Sequence, residues 1–576
     1  MNGSEILIDG LKREGVDTIF GYPGGVVIPI FDVLYSTKEI KFLLTRHEQG
    51  ATHAADGYAR STGKVGVCLV TSGPGATNTI TGIASAKMDS SPIIVISGQV
   101  ASGLIGTDAF QETDMVGLTR SICKHNYLVK DVNDLPRVIK EAFHIARTGR
   151  PGPVSIDIPV DVANAKLKEY KYPETINLPG YKPAQKGNNG QVKKLVDAIV
   201  RAKKPLLYTG GGIISSGATD DLLALIDKTQ IPVVVTLMGL GSVPFNHPDF
   251  LGMPGMHGRV AANKALMECD LLIGVGVRFD DRITGPKHTF ATNAIIAHID
   301  IDPAEIGKNI KADIPIVGDA KAVLQQIIEK TDVRSRDSWN ERMNFWKEKF
   351  PLSYKNNDDG LVNPQYVIER MNTFVNEDSI MVTDVGQHQM WSALYCHYRH
   401  PRKFLSSGGL GTMGFGLPAA MGAAVANPDT QVVCISGDGG IQMNIQELAT
   451  CAINQIPVKV IVLNNFYLGM VRQWQDLFWD KKYSRVCLQQ TPNCPAECRG
   501  PNGNCPPQYL PDLVKVAEAN GMLGYRAKTK DEVDEVLKKG LAADGPVLME
   551  FFIKREENVF PMVSAGKPLS DMMTGD

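Results

Sequence analysis

The stretch CISGDGGIQMNIQELATCAINQIPVKVIVLNN, from Cys434 to Asn465, holds two apolar runs that each end in polar residues. The first run ends in Gly-Asp-Gly-Gly and the second in Asn-Asn, so Asp438 and Asn465 each follow a predicted buried strand. Ligands of open parallel sheets bind beyond the carboxyl ends of the strands, where glycines and a helix N-terminus accommodate an anion. Carboxylate and carboxamide oxygens at such a place are ligands that Mg²⁺ takes together with phosphate oxygens. The stretch therefore predicts a parallel α/β sheet with a metal-bridged diphosphate site.

Each half of this pattern also has a plainer interpretation. Gly-Asp-Gly is a common turn and Asn-Asn a common strand end, and the metal site is indicated only by the two together on neighbouring strands. The chain contains no Gly-x4-Gly-Lys-Ser/Thr, which excludes a P-loop nucleotidase. The segment YTGGGIIS, from Tyr208 to Ser215, is compatible with a dinucleotide loop, but a loose glycine triplet is weak evidence for one.

Length and composition predict a multidomain globular protein of the cytoplasm. The chain has 576 residues, of which 43% are apolar and 21% charged, and this length suggests roughly three domains. A formal net charge of −2 gives no support for a nucleic-acid partner. No apolar run reaches the ~20 residues of a membrane span, and the N-terminus lacks a signal-peptide pattern. Ten cysteines in a chain of this length indicate a reducing compartment rather than a disulfide framework.

Strand-like and helix-like patterns alternate in three blocks, separated by two polar connectors. The blocks span about residues 1–165, 190–335 and 362–576, with runs such as KVGVCLV, PVVVTLMG and SIMVTDVG as the predicted strands. Such alternation is typical of parallel sheets covered by helices on both faces. We therefore expect an α/β protein made of three doubly wound parallel-sheet domains.

The longer motifs resemble the thiamine diphosphate-dependent enzymes, and among them the catalytic subunit of the acetohydroxyacid (acetolactate) synthases. The resemblance covers nearly the whole chain. It is carried by GYPGG at 21–25, RHEQGATHAADGYAR at 46–60, TSGPGATN at 71–78, GTDAFQETD at 106–114, GMHG at 255–258, RFDDRITG at 278–285, GGLGTMGFGLPAA at 408–420, GMVRQWQ at 469–475 and ENVFPMV at 557–563.

The resemblance implies that thiamine diphosphate binds between the first and third domains. Glu48 would hydrogen-bond the pyrimidine ring in domain 1–165, while Asp438, Asn465 and the carbonyl of Tyr467 in domain 362–576 would hold Mg²⁺. Met413 would be an apolar wedge that bends the cofactor, although plain core filler is the alternative. The remaining implied contacts are Pro23, Gly24, Gly25, Asn78, Val385, Gly386, Gln387, His388, Gly411, Gly437, Gly439, Gly440, Gly469 and Met470.

The middle domain, 190–335, resembles the family's FAD-binding domain, in which the flavin is structural rather than a redox group. A Rossmann-like fold with another ligand, or with none, is the alternative. The implied flavin contacts are Arg150, Gly210, Gly211, Gly212, Thr236, Leu237, Gly255, Met256, His257, Gly276, Arg278, Asp280, Asp300, Ile301 and Asp319.

The implied reaction is decarboxylation of pyruvate and transfer of the remaining two-carbon unit to a second 2-oxo acid. The products would be 2-acetolactate or 2-aceto-2-hydroxybutyrate, in branched-chain amino acid biosynthesis. The implied catalytic residues are Glu48, Phe110, Gln111 and Met413. The implied substrate channel contains Val26, Val160, Asp281, Arg282, Val471 and Trp474.

Two positions depart from the family pattern. The family usually has a lysine where DIPVDV places Val160, and often a tyrosine where this chain has Lys87. A cation at the channel mouth guides the carboxylates of 2-oxo acids. Its absence at position 160 therefore puts the acceptor or its route to the site in question.

Several alternatives and partners follow from the same resemblance. A pyruvate oxidase-like flavoenzyme and another thiamine diphosphate-dependent 2-oxo acid decarboxylase share the domain plan, and a cofactor-binding protein without turnover is a third alternative. Since Glu48 and the metal site belong to different domains that meet across subunits in this family, we expect a homodimer or a dimer of dimers. A regulatory small subunit is a further expected partner, whereas nucleic acid and membrane are not.

A cysteine-rich insertion at 487–505 interrupts the family pattern. Its four cysteines give the spacing C-x6-C-x3-C-x6-C. Four thiolates suit one Zn²⁺, although the spacing is not the usual C-x2-C pair. An iron-sulfur cluster, unliganded thiols and disulfides are the alternatives that remain open. The residues concerned are Cys487, Cys494, Cys498 and Cys505.

Overall fold

The structure is a computed structural model that describes residues 1–355, 360–494 and 511–575. Its core is formed by three separate parallel sheets, of six, five and six strands, which follow one another along the chain. A short antiparallel pair of strands lies near the C-terminus. This arrangement confirms the predicted α/β class with three parallel-sheet domains.

The first sheet has the strand order β2-β1-β3-β4-β6-β5. Its strands are β1 Thr18–Tyr22, β2 Lys41–Leu44, β3 Gly66–Val70, β4 Ile93–Gln99, β5 His125–Leu128 and β6 Val154–Pro159. The helices around it are α1 Gly3–Arg13, α2 Ile28–Ser36, α3 Glu48–Thr62, α4 Pro74–Thr77, α5 Ile80–Asp89, α6 Met115–Thr119, α7 Leu135–Arg147 and α8 Val160–Asn164.

The middle sheet has the strand order β11-β10-β9-β7-β8. Its strands are β7 Pro205–Thr209, β8 Val233–Val235, β9 Leu271–Val275, β10 Ile295–Asp300 and β11 Ile314–Val317. The helices are α9 Asn189–Arg201, α10 Gly211–Ser216, α11 Thr219–Thr229, α12 Val260–Glu268, α13 Asp281–Thr284, α14 Ala320–Lys330 and α15 Asp337–Lys349.

The third sheet has the strand order β13-β12-β14-β15-β17-β16. Its strands are β12 Ile380–Thr383, β13 Phe404–Ser406, β14 Val432–Gly437, β15 Val458–Asn464, β16 Leu523–Ala527 and β17 Val547–Phe552, and the antiparallel pair is β18 Met562–Val563 and β19 Met572–Met573. The helices are α16 Pro364–Met371, α17 Gln387–Tyr395, α18 Gly416–Ala426, α19 Asp438–Ile441, α20 Glu447–Ile453, α21 Gly469–Phe478, α22 Leu513–Ala519 and α23 Val533–Leu541.

The three sheets share one connectivity. In each, the first strand lies between the second and the third, and the fourth follows the third. The strand order therefore reverses between the first and third strands, at β1/β3, β7/β9 and β12/β14. Connections leaving neighbouring strands at such a point run to opposite faces of the sheet, which opens a crevice for a ligand.

The first and third domains are joined by an unusually close contact between α3 and α18. A Cβ added at Gly57 would lie 2.0 Å from the carbonyl oxygen of Ala419, and one added at Gly422 would lie 1.9 Å from that of Ala54. Only glycine permits this backbone approach. The buried side chains around it form one hydrophobic cluster with members from both sheets.

One segment differs from its predicted role as a polar connector. Residues 337–349 form α15, which buries Trp339, Met343 and Trp346 against apolar side chains of the middle domain. The indole N–H of Trp339 also donates to the carbonyl of Pro205 at 2.9 Å. The spacing of these three residues is helical, but the many charges between them conceal it, and we place the helix with the middle domain.

Within the ranges that the structure describes, no helix combines the length and the hydrophobicity needed to cross a bilayer.

The glycine contact between α3 and α18 leads to a test of stability. Gly57→Ala should gain about 1 kcal/mol from helix propensity, yet the added methyl collides with the Ala419 carbonyl. We expect a net loss of about 1–3 kcal/mol, as in other overpacked cores. The thermal midpoint at a fixed scan rate should fall, whereas Gly180→Ala, at a site with open space around it, should leave the midpoint unchanged. An equal midpoint for Gly57→Ala would contradict the contact.

Candidate cofactor and active site

A first cavity, of about 60 Å³, lies at the carboxyl ends of β12, β14 and β15, where the strand order of the third sheet reverses. The two polar strand ends of the opening stretch therefore meet in one place. The cavity is lined by Val385, Gly386, Gln387, His388, Trp391, Met413, Gly437, Asp438, Gly439, Gly440, Leu463, Asn465, Tyr467, Leu468, Gly469, Met470, Val471 and Ile553.

Asp438 carries an unsatisfied oxygen in this cavity. Its side chain is buried, and its Oδ2 has no hydrogen-bond partner among the described residues. Burial raises the pKa of this carboxyl to about 7, although neighbouring backbone N–H groups act in the opposite direction. A bound cation would remove the cost of keeping this oxygen unpaired and would favour the charged form.

Asn465 is fixed by its neighbours on the adjacent strand end. Its Nδ2 donates to Oε1 of Gln387 at 3.2 Å, and its Oδ1 accepts the backbone N–H of Tyr467 at 3.1 Å. The carboxamide oxygen keeps a second lone pair. The side chains of Asn465 and Gln387 and the Tyr467 backbone thus form one hydrogen-bonded wall of the first cavity.

His388 supplies a neutral hydrogen-bonding group in the same cavity. Burial lowers the pKa of its imidazole to about 3, and its Nε2 lacks a partner in the described chain. A Cβ at Gly437 would lie 2.9 Å from His388 Nδ1, so the backbone at the end of β14 must stay bare. An unpaired carboxylate oxygen and an unpaired imidazole nitrogen in one cavity suit a polyanion only if a cation separates the carboxylate from it. The donor set therefore fits a diphosphate with Mg²⁺.

Met413 reaches the first cavity from a loop at residues 407–415. Gly411 in this loop has a φ of +72°, in the left-handed region that favours glycine. Behind the loop, the buried carboxylate of Asp384 accepts the backbone N–H groups of Val385 at 2.6 Å and Gly414 at 3.0 Å. Burial raises the pKa of Asp384 to about 6. The hydrogen bond from Gly414 to Asp384 thus fixes the backbone next to Met413, which the predicted wedge role needs.

A second cavity, of about 300 Å³, lies where the strand order of the middle sheet reverses. Eight of the predicted flavin contacts line it, namely Arg150, Gly211, Gly212, Gly276, Arg278, Asp300, Ile301 and Asp319. The other lining residues are Met88, Asp89, Ser90, Arg147, Thr148, Gly149, Pro151, Gln185, Ser215, Ser216, Met238 and Ala320.

The second cavity combines cations, carboxylates and bare backbone. A Cβ at Gly212 would lie 2.5 Å from Cα of Gly276, so two glycine backbones close its floor. Arg150 is fixed by Glu305 at 2.7 Å and by the hydroxyl of Ser90 at 2.8 Å. Burial raises the pKa of Asp300 to about 6. Arginines for phosphates and aspartates for hydroxyls fit a dinucleotide such as FAD.

The remaining predicted flavin residues lie beside this cavity or away from it. Gly210 and Leu237 directly precede lining residues of the second cavity in the chain, and Thr236 lies two residues before Met238. Gly255, His257 and Asp280 are close in sequence to residues of a third cavity, of about 300 Å³. That cavity is lined by Met256, Asp281, Arg282, Gly285, Pro286, Val563, Ser564, Ala565, Gly566, Lys567 and Leu569. It brings Met256 together with two of the predicted channel residues.

The predicted residues of the first domain form a separate group. Glu48 begins α3, and its Oε2 accepts the amide N–H of Asn78 at 2.9 Å. Residues 23–26 follow β1, while Phe110 is 87% exposed and Gln111 has a φ of +60°. Among described residues, none that lines the first cavity precedes position 385. Within one chain, Glu48 is therefore not among the described residues that line the first cavity.

The two departures from the family pattern lie in different places. Val160 begins α8, directly after β6, and is half-buried. Burial and the charge of Arg150 lower the pKa of Lys87. The next residue, Met88, lines the second cavity, and Lys87 is not among the described residues that line the third. Trp474 lies on α21 and packs edge-to-face on Phe478, with ring centroids 5.8 Å apart.

The cysteine-rich insertion is only partly described. Cys498 and Cys505 lie outside the described residues, and so does the complete four-cysteine site. Cys494 accepts the backbone N–H of Thr491 at 3.3 Å, and Cys487 forms an isolated antiparallel bridge with Tyr467. In the described ranges no three His, Cys, Asp or Glu side chains gather as a metal site. The predicted Mg²⁺ site contains one carboxylate and so is not a group of that kind.

Sequence reasoning missed several residues around the cavities. Asp384 immediately precedes the predicted Val385, so its place at a strand end was a usable signal. Asp89, Arg147 and Met238 reach the second cavity from helices or turns whose sequences carry no recognisable ligand pattern. Their position follows only from how the three domains pack.

Comparison with known proteins gives matches along the whole chain. Residues 1–118 match the model for a thiamine pyrophosphate enzyme, N-terminal TPP binding domain, residues 192–327 match the central domain, and residues 384–551 match the C-terminal TPP binding domain. A Mycobacterium bovis protein named acetolactate synthase is 49% identical over 98% of this chain and 90% of its own length. Proteins named acetolactate synthase large subunit are 46% identical in Corynebacterium glutamicum and 45% in Haemophilus influenzae. These two alignments cover 99% and 100% of this chain, and 90% and 98% of the relatives.

Proposed function

Because the chain belongs to the acetolactate synthase family of thiamine pyrophosphate enzymes, we propose that it condenses two 2-oxo acids with loss of CO₂. It decarboxylates pyruvate and joins the two-carbon remainder to a second 2-oxo acid. The product is 2-acetolactate with pyruvate as acceptor and 2-aceto-2-hydroxybutyrate with 2-oxobutyrate as acceptor. The observation that carries this proposal is the first cavity, in which unpaired atoms of Asp438 and His388 occur at the reversal point of a sheet.

Thiamine diphosphate, when bound, supplies a carbon nucleophile and an electron sink for the loss of CO₂. The chain binds its diphosphate in the first cavity, with Mg²⁺ held by Asp438, Asn465 and the carbonyl of Tyr467. His388, neutral because burial lowers its pKa, offers hydrogen bonding without adding charge. Met413, Leu468 and Val471 give the cavity an apolar side that limits water.

We assign FAD to the second cavity. Arg147, Arg150 and Arg278 provide positive charge there, and Asp300 and Asp319 provide acceptors for hydroxyl groups. The separation of this cavity from the first agrees with a structural role for the flavin.

Glu48 is assigned to the pyrimidine ring of the cofactor, and this requires a second subunit. In one chain the Glu48 carboxylate is bound by Asn78 and does not line the first cavity. Large apolar side chains are exposed on both domains concerned, including Tyr35 and Phe110 on the first and Ile453 on the third. We therefore propose a homodimer in which the first domain of one subunit covers the first cavity of the other.

The third cavity is assigned to the substrate channel. Arg282 and Lys567 line it together with Met256, so it offers positive charge to a carboxylate beside an apolar surface. Phe110, Gln111, Val26 and Val160 would reach the channel from the partner subunit.

We also propose a cytoplasmic location and binding of a regulatory small subunit. Six buried cysteines of the described chain are thiols, as a reducing compartment maintains them. Two of the relatives carry names that identify them as large subunits.

Product identification tests the function directly. The protein should be incubated with pyruvate, thiamine diphosphate, Mg²⁺ and FAD, and the products analysed by NMR under anaerobic conditions. Acetolactate with an unbleached flavin supports the proposal. Flavin bleaching by pyruvate without acetolactate would show an oxidoreductase of the pyruvate oxidase kind instead, and acetaldehyde alone a simple decarboxylase.

Glu48→Gln should preserve the fold and thiamine diphosphate affinity but remove most turnover, because an amide cannot exchange a proton with the ring. One acid-base group contributes about 10²- to 10⁴-fold to rate. Initial rates of pyruvate consumption give the measurement, with the exposed Glu39→Gln as control. A Glu48→Gln rate close to that of the wild type would remove Glu48 from the mechanism.

Asp438→Asn should weaken Mg²⁺ and thiamine diphosphate together, since one ion joins the protein to the diphosphate. The change retains the side-chain shape, removes the charge and replaces one acceptor oxygen by an N–H donor. We expect at least about a tenfold rise in the Mg²⁺ concentration needed for half-saturation. Asp429→Asn, at the opposite end of the same strand, should behave as wild type in these titrations. Unchanged thiamine diphosphate affinity for Asp438→Asn would sink the metal assignment.

Val160→Lys restores the cation that the family usually has. Charge steering should change the apparent affinity for pyruvate modestly, by less than about tenfold, and leave the product unchanged. Val200→Lys adds the same charge at an exposed position on α9 and should have no effect. If the lysine at 160 switches the product, the proposed acceptor needs revision.

A further inference from the structure

The loop between β13 and α18, residues 407–415, touches all three domains and is called the bridging loop here. It belongs to the third domain and presents Met413 to the first cavity. Near its start, a Cβ at Gly408 would lie 2.5 Å from Sδ of Met238, and Met238 lines the second cavity. One short backbone segment therefore runs from the wall of the second cavity to the wall of the first.

Asp89 ties the start of this loop to the first domain. It is the last residue of α5, and its carboxylate accepts the backbone N–H of Gly408 at 3.1 Å and of Gly409 at 2.6 Å. The same residue lines the second cavity. Charged acceptors of backbone N–H groups make strong, short hydrogen bonds. Asp89 is thus both wall of the second cavity and anchor of the bridging loop.

Arg60 fixes the Asp89 carboxylate in this position. Its Nη2 donates to Asp89 at 2.9 Å, its Nη1 donates to the carbonyl of Ser406 at 2.6 Å, and its Nε donates to Asp56 at 2.6 Å. The guanidinium also lies 5.1 Å from the ring centre of Phe415, at the far end of the loop. The Asp89 side chain is fully buried, so a shift of its carboxylate breaks several bonds at once.

The opposite end of the loop has its own anchor. Asp384 accepts the backbone N–H of Gly414, which directly follows Met413. Only residues 410–413 lie between the two carboxylate anchors. A displacement at Asp89 would therefore reach Met413 across a span of only four residues.

We propose that Asp89 is a positioning residue that couples occupancy of the second cavity to the placement of Met413 in the first. The inference rests on the proposed function, in which FAD fills the second cavity and thiamine diphosphate the first. A ligand that fills the second cavity restricts the residues lining it, Asp89 and Met238 among them. The first ligand that binds bears the entropy cost of ordering these residues. The second ligand then binds without that cost, which gives positive coupling. Linkage requires each ligand to strengthen the other equally.

The test measures binding rather than turnover. Cofactor-free protein is titrated with thiamine diphosphate at fixed Mg²⁺ by calorimetry, once without FAD and once with saturating FAD. The reverse titration adds FAD to the protein without and with saturating thiamine diphosphate. For wild type we expect FAD to strengthen thiamine diphosphate binding by about tenfold, and the reverse titration to give the same factor. In Asp89→Asn the factor should fall to near one, because the carboxylate that links the second cavity to the bridging loop has lost its charge.

Asp270→Asn is the matched control. Asp270 also accepts two consecutive backbone N–H groups, of Lys203 at 2.8 Å and Lys204 at 2.9 Å, but lies at the start of β9 away from the bridging loop. This variant should keep the wild-type coupling factor. Loss of coupling in Asp270→Asn as well would overturn a specific role for Asp89.

Met238→Ala provides a second route if Asp89→Asn does not fold. It removes the contact with Gly408 without disturbing any charge, and the coupling factor should fall at least about threefold. A wild-type factor in Met238→Ala or in folded Asp89→Asn overturns the coupling. Wild type that binds both cofactors with a factor of one overturns the coupling and leaves the proposed function intact, whereas wild type that binds neither overturns both.

Discussion

The reversal of strand order between the first and third strands is the constraint on which the sites depend. At that point neighbouring connections run to opposite faces of the sheet, and no helix covers the strand ends between them. In the third sheet the residues after β12 and β14 include His388 and Asp438, and both line the first cavity. In the middle sheet the residues after β7 and β9 include Gly211 and Gly276, which line the second. One topological rule, used twice, thus creates both cavities.

The polar groups at these reversal points are costly to bury. Asp438 and Asp384 are buried carboxylates with raised pKa values, and His388 is a buried imidazole with a lowered one. Asp384 recovers much of its burial cost through backbone N–H groups, while Asp438 Oδ2 and His388 Nε2 recover none within the described chain. Ligands that pair these atoms bind only the folded state and therefore stabilise it.

Much of the architecture was predictable because local sequence and global fold agree. Runs of β-branched residues between helical segments predicted three parallel sheets, and the polar ends of two such runs predicted that Asp438 and Asn465 lie in one cavity. The eight predicted lining residues of the second cavity came from the family resemblance, and five of them are glycines or acids, namely Gly211, Gly212, Gly276, Asp300 and Asp319. In these places a residue's own strand decides where it lies.

Other features depend on packing between domains and leave little trace in local sequence. Asp89 ends an ordinary helix, and only the approach of the third domain makes it an anchor for Gly408 and Gly409. The charged residues of α15 obscure its helical apolar pattern in the sequence. Trp339 is buried because the middle domain offers it an apolar surface. The separation of Glu48 from the first cavity in one chain likewise comes from domain placement, which neither motif specifies.

The contact between α3 and α18 bears on how such a chain can be rearranged. Both helices follow the second strand of their sheet, and each places a glycine against a carbonyl of the other, so the two halves of the contact are equivalent. The geometry of this contact is the same whichever of the two domains comes first along the chain. The middle domain makes its own contacts with the third, as Met238 does with Gly408, but the geometry of this joint resides in the helix pair. The contact between α3 and α18 therefore does not depend on the order of the two domains along the chain. A circular permutation that exchanges the domains would retain it.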